Sequence, residues 1–214
     1  MNAATMEDRV RFYLNQQKSP RIEQGFHINQ ALNIAQTKFI EDRVDNIKKA
    51  KQRGSSYYFE AVERVKSELY TIVVNTGFVP PVGNTVAIPT DFFYELNLQV
   101  ILDGEMYWST SKTYNEYQEI SRNSFTAPNI EFPVHIRSNN GVVVDYGVVG
   151  LFSNSNLIYL KNPVTIDVTS TPAVDCELPV NAHEEICEIA SHIIAGTYED
   201  YKKNQQLKIQ QQED

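Results

Sequence analysis

The sequence predicts an α+β protein, in which a helical bundle carries a small inserted antiparallel β domain. Two observations predict this class. Apolar residues at helical spacing occupy residues 25–53 and 56–75, and the same spacing returns at 180–200. The segment before the last of these helices, residues 78–175, contains proline, glycine and alternating apolar residues, a pattern typical of strands and turns. The bundle is therefore predicted to form from two N-terminal helices and one C-terminal helix.

These patterns divide the chain into four parts. They are an N-terminal helical part (1–77), a β-rich insertion (78–175), a C-terminal helix that completes the bundle (176–201) and a tail (202–214). The tail is rich in glutamine and has little apolar surface. We therefore expect it to be mobile in an isolated subunit and ordered in an assembly, where binding energy offsets the entropy of ordering.

The first two predicted helices meet at Gly54. Glycine is common just past a helix C-terminus, and Ser55 or Ser56 can cap the next helix. Each helix has a single apolar stripe, so the two should pair as an antiparallel hairpin and need a third helix to cover them. The stripe of the first helix is Ile28, Leu32, Ala35, Phe39, Ile40, Val44 and Ile47; that of the second is Tyr58, Val62, Val65, Leu69 and Ile72.

The third helix is predicted over 180–200. Pro179 cannot continue a helix from upstream, and Asn181 followed by Glu184 fits a capping box. Ile186 and Ala190 lie on its apolar stripe.

The middle of the chain predicts two hairpins. Alternation from Tyr94 to Leu102 predicts a half-buried strand, and Asp103-Gly104 is a turn into a return strand at 106–108. Residues 139–141 (NNG) join strands at 130–137 and 142–146. A capping box formed by Thr113 and Glu116 predicts a short helix between the two hairpins, and 157–160 is one further strand.

One short segment resembles a metal site. His183-Glu184 begins like the HExxH box of zinc peptidases, but Cys187 stands where the second histidine belongs. Cys176 and His192 do not complete a ligand set at recognised spacing, and zinc needs at least three protein ligands. Nucleophile and phosphate-binding motifs are also absent from the sequence. We therefore expect no metal, no cofactor and no enzymatic activity.

Charge and cysteine content limit the classes of partner. The net charge is −8, which argues against gripping nucleic acid but is compatible with letting DNA pass without sticking. Two cysteines are too few for a disulfide framework and suit a reducing cytoplasm. The sequence contains no long apolar run or signal-peptide core, so neither membrane insertion nor export is expected.

Five segments, in order, resemble the neck proteins of tailed bacteriophages, particularly those of crAss-like phages. Residues 28–41 (INQALNIAQTKFIE) are similar to their N-x-AQ-x-x-FI helix, and 87–94 (AIPTDFFY) to an lP-x-DF segment. Residues 123–128 (NSFTAP) resemble an NPF-x-x-P turn, with Ser124 in place of the proline. Residues 157–163 (LIYLKNP) resemble a strand ending in Y-h-r-x-P, and 177–186 (ELPVNAHEEI) resemble ELP-x-x-x-HEEI.

The resemblance implies a head-to-tail connector or adaptor, a non-enzymatic virion protein made in the host cytoplasm. Such subunits form a homo-oligomeric ring, typically a dodecamer, that stacks on the portal protein or on other neck rings. The ring lines the channel through which genomic DNA passes. Candidate assembly contacts are the polar hairpin tip and the apolar anchors of the tail: Asn139, Asn140, Gly141, Leu207 and Ile209.

Two alternatives stay open. The first is a β-rich adhesion or carbohydrate-binding module with an aromatic stacking surface formed by Tyr107, Trp108, Tyr114 and Tyr117. The second is a cryptic metal hydrolase. A ring protein should be multimeric, a lectin should respond to glycans, and a hydrolase should carry stoichiometric metal.

Overall fold

The protein has the predicted α+β class. The structure, a computed structural model, describes residues 1–16, 25–139, 141–148 and 151–196. The helices described are α1 (Ala3–Gln16), α2 (Gly25–Arg53), α3 (Ser55–Glu68), α4 (Tyr114–Ser121) and α5 (Val180–Ala195). The strands described are β1 (Val73–Asn75), β2 (Thr85–Val86), β3 (Phe92–Leu102), β4 (Glu105–Lys112), β5 (Val134–Ser138), β6 (Gly141–Asp145) and β7 (Phe152–Lys161). None of these helices is long and apolar enough to cross a membrane.

The described chain divides into two compact units. The helical unit contains residues 1–72 and the chain from Pro163 onward, and the β unit contains residues 73–162. The predicted insertion, 78–175, differs from the β unit at both ends. The β unit begins earlier, at residue 73, because β1 pairs with β7. It also ends earlier, at residue 162, because residues 164–168 form hydrogen bonds with α2 in the helical unit.

In the helical unit, α2 packs against α3 and α5. All seven residues of the predicted α2 stripe are buried, so this apolar face is confirmed. The prediction of a second helix as far as residue 75 is wrong. Leu69 leaves the helical conformation with φ −117°, and the chain then enters β1, where the β-branched Val73 pairs with Leu160 of β7.

Helix α1 is an element that the sequence analysis did not predict. It packs on α5, and its buried residues are Ala3, Met6, Val10 and Leu14. Asn2 caps the helix, since its Oδ1 accepts a hydrogen bond from the backbone N–H of Thr5 at 2.8 Å. The spacing of three and four residues between these buried positions is the signal that could have revealed the helix.

The predicted capping box of the last helix is wrong. Helix α5 begins at Val180, and Pro179 occupies the cap position without a side-chain hydrogen bond. Glu184 instead forms an ion pair with Arg9 at 3.1 Å. The Glu184 side chain, which the sequence pattern assigns to a helix cap, therefore binds α1 instead.

In the β unit, the seven described strands form one sheet in the order β1-β7-β3-β4-β5-β6-β2. All neighbouring strands are antiparallel except β4 and β5, which pair in parallel. Both predicted hairpins and the capping box of α4 are present: Leu102 pairs with Glu105, Ser138 pairs with Gly141, and Thr113 and Glu116 bond reciprocally. The buried core consists of Val86, Leu98, Val100, Leu102, Val142, Val144, Tyr146, Leu157 and Tyr159.

Candidate functional site

Amide side chains on one face of α2 hold an extended segment of the helical unit. Asn33 Oδ1 accepts from the N–H of Ile166 at 2.8 Å, and Asn33 Nδ2 donates to the same residue's carbonyl at 2.9 Å. Asn29 accepts from Val168 N–H at 2.9 Å, and Gln36 donates to Val164 O at 3.0 Å. Asn29 and Asn33 are four helical residues apart, a rise of about 6 Å, and their partners Val168 and Ile166 are two residues apart, about 6.6 Å in an extended chain, so these two spacings match. The polar residues of the 28–41 segment therefore have a structural role.

The 177–186 segment is likewise bound within the helical unit. His183 is buried, its Nε2 lies 2.7 Å from the carbonyl oxygen of Leu178, and its Nδ1 lies 2.8 Å from the amino nitrogen of Met1. A carbonyl only accepts, so Nε2 carries the proton and Nδ1 is the acceptor. Burial lowers the pKa of His183, which favours this neutral form. Both ring nitrogens are thus engaged by the protein.

The HExxC segment does not present a set of metal ligands. Cys187 is fully buried, and its Sγ lies 3.6 Å from the backbone oxygen of Met6. Burial raises the pKa of its thiol to about 12. Across the described ranges, no group of three or more His, Cys, Asp or Glu residues could hold a metal ion.

Two further segments of the resemblance contact each other in the β unit. Tyr159 donates its hydroxyl to Asp91 Oδ1 at 2.9 Å, and its ring stacks on Phe92 with centroids 5.6 Å apart. Asn162 donates its backbone N–H to the carbonyl of Asp91 at 2.6 Å. Contacts between the 87–94 and 157–163 segments thus connect the start of β3 to the end of β7.

The 123–128 segment is a hydrogen-bonded turn that exposes one large apolar side chain. Asn123 Oδ1 accepts from Phe125 N–H at 3.0 Å, and the backbone oxygen of Asn123 accepts from Thr126 N–H at 3.0 Å and Ala127 N–H at 2.8 Å. The ring of Phe125 is 96% exposed, more than any other large apolar side chain in the described chain. It contrasts with the polar residues of the other segments, which are bound internally.

The predicted assembly residues have different outcomes. Asn140, Leu207 and Ile209 lie outside the described residues, and their contacts stay a prediction. Asn139 is exposed at the end of the β5–β6 hairpin. Gly141 is buried, and a Cβ there would lie 2.5 Å from the backbone oxygen of Val86, so this position serves internal packing against β2.

A polar cluster that was not predicted from the sequence connects three strands of the β unit. His135 on β5 is buried, with Nε2 2.5 Å from Glu95 Oε1 on β3 and Nδ1 2.8 Å from Ser109 Oγ on β4. Serine, histidine and a carboxylate are the residue types of hydrolytic triads. Ser109, however, lies within β4, pairs with Leu98 and also donates to Pro133 O at 3.3 Å. The arrangement fits a buried polar connection between strands, which only the fold reveals.

The four aromatic residues proposed as a stacking surface are used separately. Tyr107 and Trp108 are consecutive in β4 and point to opposite faces, with Tyr107 packed against the β core. Tyr117 donates its hydroxyl to Asp145 at 2.7 Å, whereas Tyr114 is exposed. Trp108 is 45% exposed, on the face opposite to Tyr107.

In comparisons with known proteins, no family model and no curated protein matches this chain. The candidate site is therefore defined by the structure. In the described chain, the polar groups of four resembling segments stabilise the unit in which they lie. The remaining segment, 123–128, exposes the ring of Phe125 to solvent.

Proposed function

We propose that this chain is a virion structural protein, a subunit of a neck or connector ring that links the portal of a tailed bacteriophage to its tail. The observation that carries the proposal is the 123–128 turn, in which several hydrogen bonds fix the backbone and leave Phe125 in solvent. Rigid exposed aromatic residues are typical anchors of protein interfaces. The order of the five resembling segments agrees with the same function.

Charge supports a conduit for DNA. The chain has a net charge of −8, with 27 acidic and 19 basic residues. A channel wall with this balance repels phosphates and does not hold them, which lets genomic DNA pass. The subunit is then made in the host cytoplasm and ends in the neck of the virion.

The test is the assembly state of the purified chain, alone and with its portal protein, by native mass spectrometry and negative-stain imaging. The expected result is a closed ring, with the dodecamer as the expected order, that stacks on the portal. Removing residues 203–214 is expected to preserve the fold and weaken stacking, since Leu207 and Ile209 are the apolar anchors of that segment.

Other results would support the alternatives. A monomer that binds glycans on an array would favour the adhesion module, and one equivalent of metal by elemental analysis would favour the hydrolase. Either result, without a ring, contradicts the neck function.

A further inference from the structure

Strand β4 has an open edge along its first residues, 105–109. On one side these residues pair with 98–102 of β3. On the other side β5 pairs only with residues 110–112, further along the strand. Among the described strands, none pairs with 105–109 on that side. We call residues 105–109 the open edge of β4.

Two residues of the open edge have unpaired backbone groups. Thr110 N–H donates to Pro133 O at 2.9 Å, so the backbone groups of Thr110 point toward β5. Alternate residues of a strand direct their N–H and C=O groups to the same side, so those of Met106 and Trp108 also point away from β3. In the part of the chain that the structure describes, these groups of Met106 and Trp108 form no hydrogen bond.

The chain that precedes β5 does not continue that strand along the open edge. Pro133 has no N–H to donate. The N–H groups of Glu131 and Phe132 are both bound by Asn129 Oδ1, at 3.0 Å each. These residues form a turn, and their donors are therefore not available to β4.

The open edge lacks the features that usually protect a strand edge. Proteins keep such edges short or place lysine, proline or a bulge in them. The two outer strands of this sheet, β1 and β2, have only three and two residues. Residues 105–109 contain neither lysine nor proline and pair with β3 without a bulge. The side chains of Met106 and Trp108 are also 55% and 45% exposed. These are the properties of an edge that accepts a further strand.

We propose that the tail of a neighbouring copy adds to the open edge as a β-strand centred on Leu207, Lys208 and Ile209. Unpaired backbone groups that lie two residues apart select an extended backbone, whose own groups have the same spacing. The inference rests on the proposed ring and names the contact that the tail makes in it. Each copy has one edge and one tail, so the contact is head-to-tail and repetition closes a ring.

The two faces of the open edge differ in chemistry. Met106 and Trp108 make one face apolar, whereas Glu105 and Tyr107 lie on the other. The Tyr107 hydroxyl donates to Glu105 Oε2 at 3.0 Å. This bond, desolvation and three nearby carboxylates raise the pKa of the Tyr107 hydroxyl. The carboxylates are those of Glu105, Glu131 and Asp103. The second face is therefore acidic.

The tail matches both faces. Successive side chains of an added strand alternate between the faces of the sheet. Leu207 and Ile209 flank Lys208, so the two apolar side chains fit the apolar face and the lysine fits the acidic one. Residues 202–212 contain three lysines and no acidic residue. Residues 17–24, which also lie outside the described ranges, contain a proline and lack this alternation.

The test is backbone hydrogen exchange of the full-length chain, read at single residues by mass spectrometry. In wild type, the N–H groups of Met106 and Trp108 are expected to exchange at least about tenfold more slowly than in Leu207→Ser with Ile209→Ser. Gln210→Ser with Gln212→Ser, a matched polar pair of the same spacing, should leave this protection unchanged.

Two substitutions at Met106 test whether backbone pairing holds the tail. Met106→Pro removes an N–H that points away from β3, so the β3–β4 pairing is kept and the Trp108 N–H should lose its protection. Met106→Ala keeps the N–H and should retain most of the protection. The Tyr107 N–H points toward β3 and should stay protected in every variant, which verifies that the sheet is folded.

A mixing experiment tests whether the tail comes from another copy. The chain with Leu207→Ser and Ile209→Ser has an intact edge and is labelled with nitrogen-15. The unlabelled Met106→Pro chain has an intact tail and a blocked edge. Adding the second chain should slow exchange at Met106 and Trp108 of the first about tenfold. Adding a chain that carries all three substitutions should have no effect.

The outcomes separate the strand pairing from the ring. Wild-type rings in which Met106 and Trp108 exchange freely overturn the pairing and leave the ring function standing. Protection that survives Leu207→Ser with Ile209→Ser overturns the tail as the occupant. Labelled chains that gain no protection in the mixture overturn the contact between copies. A wild-type chain that is monomeric up to millimolar concentration overturns both the pairing and the proposed function.

Discussion

Arg43 on α2 binds Glu185 on α5 through two parallel hydrogen bonds, with Nη1–Oε1 3.0 Å and Nη2–Oε2 2.8 Å. Its Nε lies 3.4 Å from Glu68 Oε2 on α3, and its guanidinium carbon lies 3.8 Å from the centre of the Phe39 ring. One side chain thus connects three helices of the helical unit. A planar fork and a flat cation over an aromatic ring are properties of arginine that lysine lacks.

Replacing Arg43 should destabilise the helical unit. Arg43→Ala removes a bidentate pair that is partly shielded from water, and we expect the free energy of unfolding to fall by about 2 kcal/mol. Arg43→Lys keeps the charge and should recover less than half of the lost unfolding free energy. Urea titration followed by circular dichroism at 222 nm measures both. Lys48→Ala is the control, since its pair with Asp45 is solvent-exposed and should contribute less than about 0.5 kcal/mol.

The hydrogen bonds of Asn33 on α2 predict that removing this one side chain destabilises the helical unit. Asn33→Ala leaves the backbone N–H and C=O of Ile166 without their partners, and we expect a loss of about 2 kcal/mol in unfolding free energy. Asn46→Ala, at an exposed position on the same helix, should be neutral or slightly stabilising because alanine favours helix. Equal effects of the two variants would show that the contact with Ile166 contributes nothing.

The His135 cluster should stabilise the β unit. His135→Leu leaves the carboxylate of Glu95 without its imidazole partner and removes one of the two contacts of the Ser109 hydroxyl, and we expect a loss of about 2 kcal/mol in unfolding free energy. Glu95→Gln keeps an acceptor for the imidazole and should cost less than about 1 kcal/mol. The chain has one tryptophan, and Trp108 lies next to Ser109, so its fluorescence follows unfolding of this unit. Labelling of Ser109 by a fluorophosphonate probe would instead indicate a hydrolytic centre.

The buried thiols predict a loss of stability at high pH. Burial raises the pKa of Cys176 to about 11 and that of Cys187 to about 12, whereas the pKa of a cysteine in an unfolded chain is about 8.5. A group with a raised native pKa contributes stability below its unfolded pKa and loses it as pH rises. The stability contributed by the two thiols should therefore fall as pH rises from about 8.5 to about 11 for Cys176 and to about 12 for Cys187.

Two measurements check this prediction. In the folded protein at pH 8 both thiols should resist Ellman's reagent and should react after unfolding in urea. The difference in unfolding free energy between wild type and Cys187→Ala should narrow as pH rises from 8 to 11. A constant difference would mean that the Cys187 thiol titrates alike in the folded and unfolded chains.

The sequence by itself determined the features that depend on near neighbours in the chain. The apolar stripe of α2, the turn at Asp103-Gly104 and the capping box of Thr113 and Glu116 are all present, because spacing and local hydrogen bonds specify them. Asp103 and Gly104 both have positive φ, 51° and 82°, as a two-residue hairpin turn of this kind requires.

Tertiary structure decided the features in which distant segments compete for the same groups. Glu184 fits a helix cap in the sequence, but Arg9 on α1 binds it in the folded chain. Residues 73–75 extend a helical pattern, yet pairing with β7 makes them a strand. His135 meets Glu95 and Ser109 only because three strands lie side by side, 40 and 26 residues apart in sequence. Such contacts depend on which segments the fold brings together, and local spacing does not encode that choice.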